Sequence, residues 1–136
     1  MLQDWKLLRS IAAPQLKVDY RNVLGPDHYW PEITLDEFVA KMSDLQLLGD
    51  PCVRTQHFIG ATWWEHVSET EVIGHHQVRA AHVRFKDSSL GEEVERGHVH
   101  GTNQLYYRKI DGAWRFAGLT PSVLFYEFNF GAIFHH

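Results

Sequence analysis

The chain has 136 residues, 44% of them hydrophobic, with 8 Phe, 5 Tyr and 5 Trp, which is enough apolar material for one globular domain with its own core and excludes a disordered chain. Lys and Arg number 13 against 17 Asp and Glu, a formal charge of −4, so the balance gives no basic footprint for nucleic acid or an anionic membrane surface. The single Cys52 excludes an intrachain disulfide; with no run of transmembrane length and a polar start, an intracellular, cytoplasmic protein without membrane partners is expected.

Leu2, Trp5, Leu8 and Ile11 recur at threes, which predicts a short amphipathic helix over 2–12, ended by Pro14. The alternation in 16–20 predicts a first strand with Leu16, Val18 and Tyr20 on one face and Asp19 on the other. Residues 25–31 read as a loop. Thr34-Leu35-Asp36-Glu37 matches a capping box opening a helix with Phe38, Met42 and Leu45 inward, and Gly49-Asp50-Pro51 stops it. From there the pattern is strand: about 53–65, 71–85, 94–110 and 113–120. Turns are expected at 67–70 and 109–112, and a longer polar connection at 86–91. Asp111-Gly112 suits a type I′ hairpin turn, whose two central residues both need positive φ.

Helices followed by a long meander predict an α+β domain, with a curved antiparallel sheet wrapped against the N-terminal helices and able to close over a cavity. Phe58, Trp63, Trp64, Tyr106, Tyr107, Trp114 and Phe116 would supply its walls or its core. Residues 124–130, which include Phe125 and Phe130, would form a lid or a docked terminus.

Within this pattern three polar residues fall where apolar ones are called for. His57 shares a face with Val53 and Ile59, His82 with Val78 and Ala80, and Asn103 with Val99, Leu105 and Tyr107. A buried polar group without a partner costs about 1–3 kcal/mol. Three such groups on three strands therefore predict one polar pocket inside an apolar shell, though any one alone is more often a hydrogen-bonded core residue.

Several stretches resemble scytalone dehydratases of fungal melanin synthesis: Asp19-Tyr20-Arg21, Leu48-Gly49-Asp50-Pro51, Arg54-Thr55-Gln56-His57-Phe58-Ile59-Gly60, Val72-Ile73-Gly74, Gly97-His98 and Lys109-Ile110-Asp111-Gly112. The similarity runs from about Asp4 to Phe134. It implies an NTF2-like α+β barrel, a single domain over 1–136, assembled as a homotrimer. It also implies loss of water from a hydroxylated polyketide ring, giving an aromatic product, without metal or organic cofactor. Matched by motif, Tyr20 is the family's second catalytic tyrosine, His57 its oriented histidine, His82 its second histidine and Asn103 its asparagine. Phe58, Gly101, Phe125 and Phe130 would complete the substrate wall.

Two departures from the family stand out. Gly101 occupies a serine position, and the family's first tyrosine and its histidine-orienting aspartate belong to a helix that would precede Leu2. A shortened N-terminus and a related polyketide rather than scytalone itself are the resulting expectations, with Asp27 and His28 as the nearest substitutes for the aspartate. Two rival readings stand beside this one. His98 and His100 share a strand face, as in a metal-binding barrel, although Gln104 stands where a carboxylate ligand would be expected. A cofactor-free pocket, non-catalytic or cyclase-like, that binds a small molecule without dehydrating it would need the same fold.

Overall fold

The alternating runs that begin at Val53 form four long strands, and the shorter patterns before them form the helices and edge strands that cover one side. The computed structural model describes residues 4–134. In chain order its elements are α1 (Trp5–Ile11), β1 (Ala12–Asp19), α2 (Arg21–Leu24), β2 (Tyr29–Thr34), α3 (Leu35–Met42), β3 (Val53–Ser68), β4 (Glu71–Phe85), β5 (Glu93–Ile110) and β6 (Ala113–Phe128), with a 3₁₀ turn at Phe130–Ala132. One six-stranded sheet has the order β2-β1-β6-β5-β4-β3.

The register between β4 and β5 is continuous from Glu71↔Arg108 to Arg84↔Glu95. Irregularities fall between Ile59 and Thr62 on β3 and at two places on β6, where Leu124 is the extra residue opposite the His100–Gly101 step and Ala117 the extra residue opposite the Tyr106–Tyr107 step. Each such bulge bends its strand and increases its twist, so the sheet curls and its concave side can enclose space. Asp111 (φ 50) and Gly112 (φ 78) both have positive φ, the geometry a type I′ reversal between β5 and β6 needs.

The main apolar cluster, Ala13, Leu16, Val18, Ile33, Phe38, Met42 and Ala117, lies where α3 packs on β1, β2 and β6. α3 is held at its start by the anticipated capping box: Thr34 Oγ1 accepts from the Glu37 N–H (3.2 Å), and the Glu37 carboxylate accepts from the Thr34 N–H (3.0 Å).

The structure corrects several expectations. The sheet is mixed, because β1 runs parallel to β6 with Lys17↔Gly118 and Val18↔Leu119. Their backbones approach so closely that a Cβ on Gly118 would lie 1.9 Å from the Lys17 carbonyl oxygen. Residues 29–34, read as loop and helix entry, form β2 instead. It is an edge strand, where Pro31 can be tolerated without a ladder hydrogen bond. Pro14 sits inside β1 rather than before it, and α2 was not anticipated. Leu45, expected inward, is 72% exposed beyond the end of α3. β6 continues to Phe128, so most of the aromatic tail is strand. Leu2, expected on the first helix, lies outside the described residues. No helix among those residues is long and apolar enough to cross a membrane.

Replacing Thr34 with alanine removes the hydroxyl that accepts from the Glu37 N–H, while the main-chain N–H at position 34 can still donate to Glu37, and should cost about 1 kcal/mol. Thermal unfolding should show Tm lowered by a few degrees, with the site unaffected.

Candidate active site

On the concave side, register places alternating residues of neighbouring strands next to one another. His57 pairs with Ala80 and Thr55 with His82 across β3 and β4. Ala80 pairs with Val99, and Val78 with Gly101, across β4 and β5. Small residues at Ala80 and Gly101 leave room between the larger ones. The result is a cavity of about 270 Å³, near the lower end of ordinary ligand pockets, about 300 Å³.

Tyr20, His57, His82, Asn103, Gly101 and Phe130 all line this cavity. The expected polar set is therefore brought together from α2's N-cap, β3, β4 and β5. Apolar side chains surround it: Val23 and Leu24 of α2, Met42 of α3, and Leu47 and Leu48 of the connection that follows. The rings of His57 and His82 stand 6.4 Å apart, nearly perpendicular at 75°. Phe130 and Phe134 each present an edge to His82 at 5.4 Å.

His57 Nδ1, His82 Nδ1 and Asn103 Oδ1 are buried without a hydrogen-bond partner in the protein, as is Thr55 Oγ1 on the same face. Each such group left unpaired costs about 1–3 kcal/mol. Three of them around one apolar cavity make a site that gains free energy when a ligand with oxygen functions enters. Burial also fixes the charge states. It holds the His57 imidazole below its ordinary value. It pushes His82 down to about 4, with the neighbouring His57 charge acting in the same direction. Burial pushes the Tyr20 phenol up to about 12. At neutral pH the cavity thus presents two neutral imidazoles, a phenol that can donate, and a carboxamide.

Two expected wall residues are not there. Phe58 is 67% exposed on the opposite face of β3, because it alternates with His57. Phe125 is 55% exposed and stacks on His100, ring centroids 4.4 Å apart; the bulge at His100 and Gly101 sets it opposite an outward residue. Asp27 and His28 also lie off the cavity. His98 and His100 do not act together: His98 Nδ1 accepts from the His82 N–H at 3.2 Å, and His100 Nε2 meets the Glu127 carboxylate at 3.1 Å. Among the described residues, no group of three or more His, Cys, Asp or Glu could hold a metal ion.

Sequence reasoning missed Phe134 and the loop leucines, which carry no period to read. It also gave no reason for Gly101. A Cβ there would lie 2.0 Å from the Ser122 carbonyl oxygen, so the bulge itself demands glycine.

The family model described as scytalone dehydratase matches residues 2–136. The scytalone dehydratase of Pyricularia oryzae is 51% identical over 132 residues, 97% of this chain and 76% of that protein. Scytalone dehydratase arp1 of Aspergillus fumigatus is 50% identical over 132 residues, 97% of this chain and 77% of that one. Among solved structures, an NTF2-like protein of Prochlorococcus marinus superposes with a TM-score of 0.56 at 12% identity, covering 88% of this chain and 78% of that one. The fold is NTF2-like.

The lowered imidazole values fix the sign of the pH response. Unfolding returns His82 to the ordinary 6.5 from about 4, so the unfolded chain binds the extra proton between those values. Stability from the neutral ring is complete above pH 6.5 and is lost as pH falls towards 4. Tm should be flat above pH 6.5 and decline below it, and ligand binding to the neutral pair should persist into that acidic range. A Tm rising between pH 6.5 and 4 would contradict this assignment.

Proposed function

Because this chain belongs to the scytalone dehydratase family and is a lyase of the dehydratase class, we propose that it removes water from a hydroxylated polyketide ring ketone, without a cofactor, in fungal aromatic polyketide or melanin metabolism inside the cell. The observation that carries the reading is the cavity itself, with neutral His57 and His82, Tyr20 and Asn103 converging inside an apolar wall.

Such a substrate carries a hydroxyl at the carbon β to a ketone. A neutral imidazole, assigned here to His57, takes the proton from the carbon between them, and the electron pair moves onto the ketone oxygen. Tyr20 donates a hydrogen bond to that oxygen, which is the role a phenol with a raised pKa can fill at neutral pH. The β-hydroxyl then leaves as water, its proton returned by the imidazolium, so the proton removed is the proton delivered. His82 and Asn103 hold the remaining ring oxygens. Formation of an aromatic ring drives the reaction forward, and the tuned base contributes typically about 10²–10⁴ in rate.

His57→Asn keeps a polar side chain of similar breadth. It should leave Tm near the parent value and lower turnover of a cyclic β-hydroxy ketone by at least about a hundredfold. Near-full activity would remove His57 from the chemistry. Binding of the ketone with no elimination by the parent protein would instead support a non-catalytic pocket.

The family resemblance also supports a homotrimer. Phe58, Trp63 and Phe125 stand 67%, 59% and 55% exposed on the outward face of β3 and β6, more aromatic surface than an isolated sheet face needs. Sedimentation equilibrium should give three times the 15.8 kDa chain mass, and Phe58→Glu should shift it to the monomer. A monomeric parent protein would overturn the assembly.

A further inference from the structure

Two segments close the cavity, and one buried side chain touches both. Arg84 lies one alternation beyond His82 on β4 and is 8% exposed. Its Nε donates to the carbonyl oxygen of Ile133 at 2.5 Å. A terminal guanidinium nitrogen donates to Asp50 Oδ2 at 2.6 Å. Ile133 is fully buried between Phe130 and Phe134, the two rings that stand against His82. Asp50 is also buried. Its other oxygen accepts from the Cys52 N–H at 2.8 Å, and its own N–H donates to the Leu47 carbonyl at 3.3 Å. Leu47 and Leu48 line the same cavity as the two phenylalanines.

We propose that the Arg84–Asp50 pair is a positioning element for this site: it joins the 47–50 connection to the 130–134 segment and so holds Phe130 and Phe134 shut against His82.

The chemistry of the contact fits that role. A buried ion pair is often no more stabilising than apolar residues of the same volume, so net stability does not account for it. A guanidinium offers several donors in a rigid planar fork and can fix two acceptors from separate segments at a set angle. One acceptor is a main-chain carbonyl, which leaves the side chains on either side of Ile133 free to face the cavity. Gly97 lets the same segment lie flat on β5, since a Cβ there would be 2.3 Å from the Phe130 Cα. The Asn129 N–H, donating to the Arg96 carbonyl at 3.0 Å, holds its start. Arg84 holds its far end.

The closure can be read at His82, which faces His57 from β3 and His98 from β5, with Tyr20 on the same cavity. Burial holds the pKa of its ring down to about 4, with the charges of His57 and His98 acting in the same direction. In the double variant Arg84→Met with Asp50→Leu, both charges disappear together, so no unpaired buried charge remains and the local net charge is unchanged. The His82 titration, followed by NMR, should rise towards 6.5 by about one unit or more. Affinity for α-tetralone, a fused bicyclic ketone used as probe, should fall about tenfold or more, and limited proteolysis should cut within 124–134. With a β-hydroxy ketone substrate, KM should rise more than kcat falls. That kinetic arm alone rests on the dehydratase reading; titration, probe binding and proteolysis stand or fall without it. A folded double variant with His82 titrating as in the parent, a protected C-terminal segment and unchanged affinity for the probe would refute the proposal. If the double variant does not fold, Arg84→Lys decides. It keeps the charge opposite Asp50 but has no N–H at the Nε position that donates to the Ile133 carbonyl, so it should raise the His82 titration in the same direction, and an unchanged titration would refute the proposal equally.

Discussion

Strands of 15 to 18 residues have to bend before they can enclose anything, and every feature of the site depends on how β3 to β6 do so. Extra residues at the bulges of β3 and β6 curl the sheet. The same irregularities decide which side chains face inward on either side of them. The bulge at His100 and Gly101 shows both effects. It swings the Ser122 carbonyl into the space a side chain at position 101 would fill, and it turns Phe125 out against His100. The curvature of the sheet and the composition of the wall have one cause.

Enclosure then sets the electrostatics. Among the described residues no Asp, Glu, Lys or Arg lines the cavity, and the buried carboxylate and guanidinium of Asp50 and Arg84 are spent on each other. Two imidazoles and a phenol remain, and burial acts on all three in the direction that keeps them neutral. On the proposed reading, neutral groups in a buried site would pass a proton from a carbon acid to a departing hydroxyl without first shedding an ordered shell of water. The cost falls on folding, because several of these atoms have no protein partner. That cost is reduced when a ligand with oxygen functions arrives.

Much of this was legible in the sequence wherever period two governs. His57, His82 and Asn103 could be found because each breaks an apolar face, and the register of β3, β4 and β5 brings those faces together. Tyr20 was found by its alternation with Val18, although it stands one residue past β1 as the N-cap of α2. What failed lay where the period is interrupted or where pairing is not local. The parallel contact of β1 with β6 joins segments about a hundred residues apart and has no local signature. β2 was hidden by Pro31, which argues against an inner strand but not against an edge. Phe58 was assigned to the wall by its aromatic character, against its own alternation with His57. The alternation was the better guide.

Gly101 makes the same point from the other side. Compared by motif alone, it is a serine position that has lost its hydroxyl, and the chain looks deficient. In the fold, no side chain can stand there, because the Ser122 main chain already occupies the place at a distance no Cβ tolerates. The polar group bordering that part of the cavity is a carbonyl oxygen, which accepts hydrogen bonds and never donates them, whereas a serine hydroxyl can do both. A substrate oxygen placed beside it must therefore bring its own proton, as a phenol or alcohol does and a ketone does not. On the dehydratase reading proposed above, the ketone would be favoured beside Tyr20, which can donate, and the hydroxyls beside the carbonyl, so the backbone bulge and the phenol would together orient the ring.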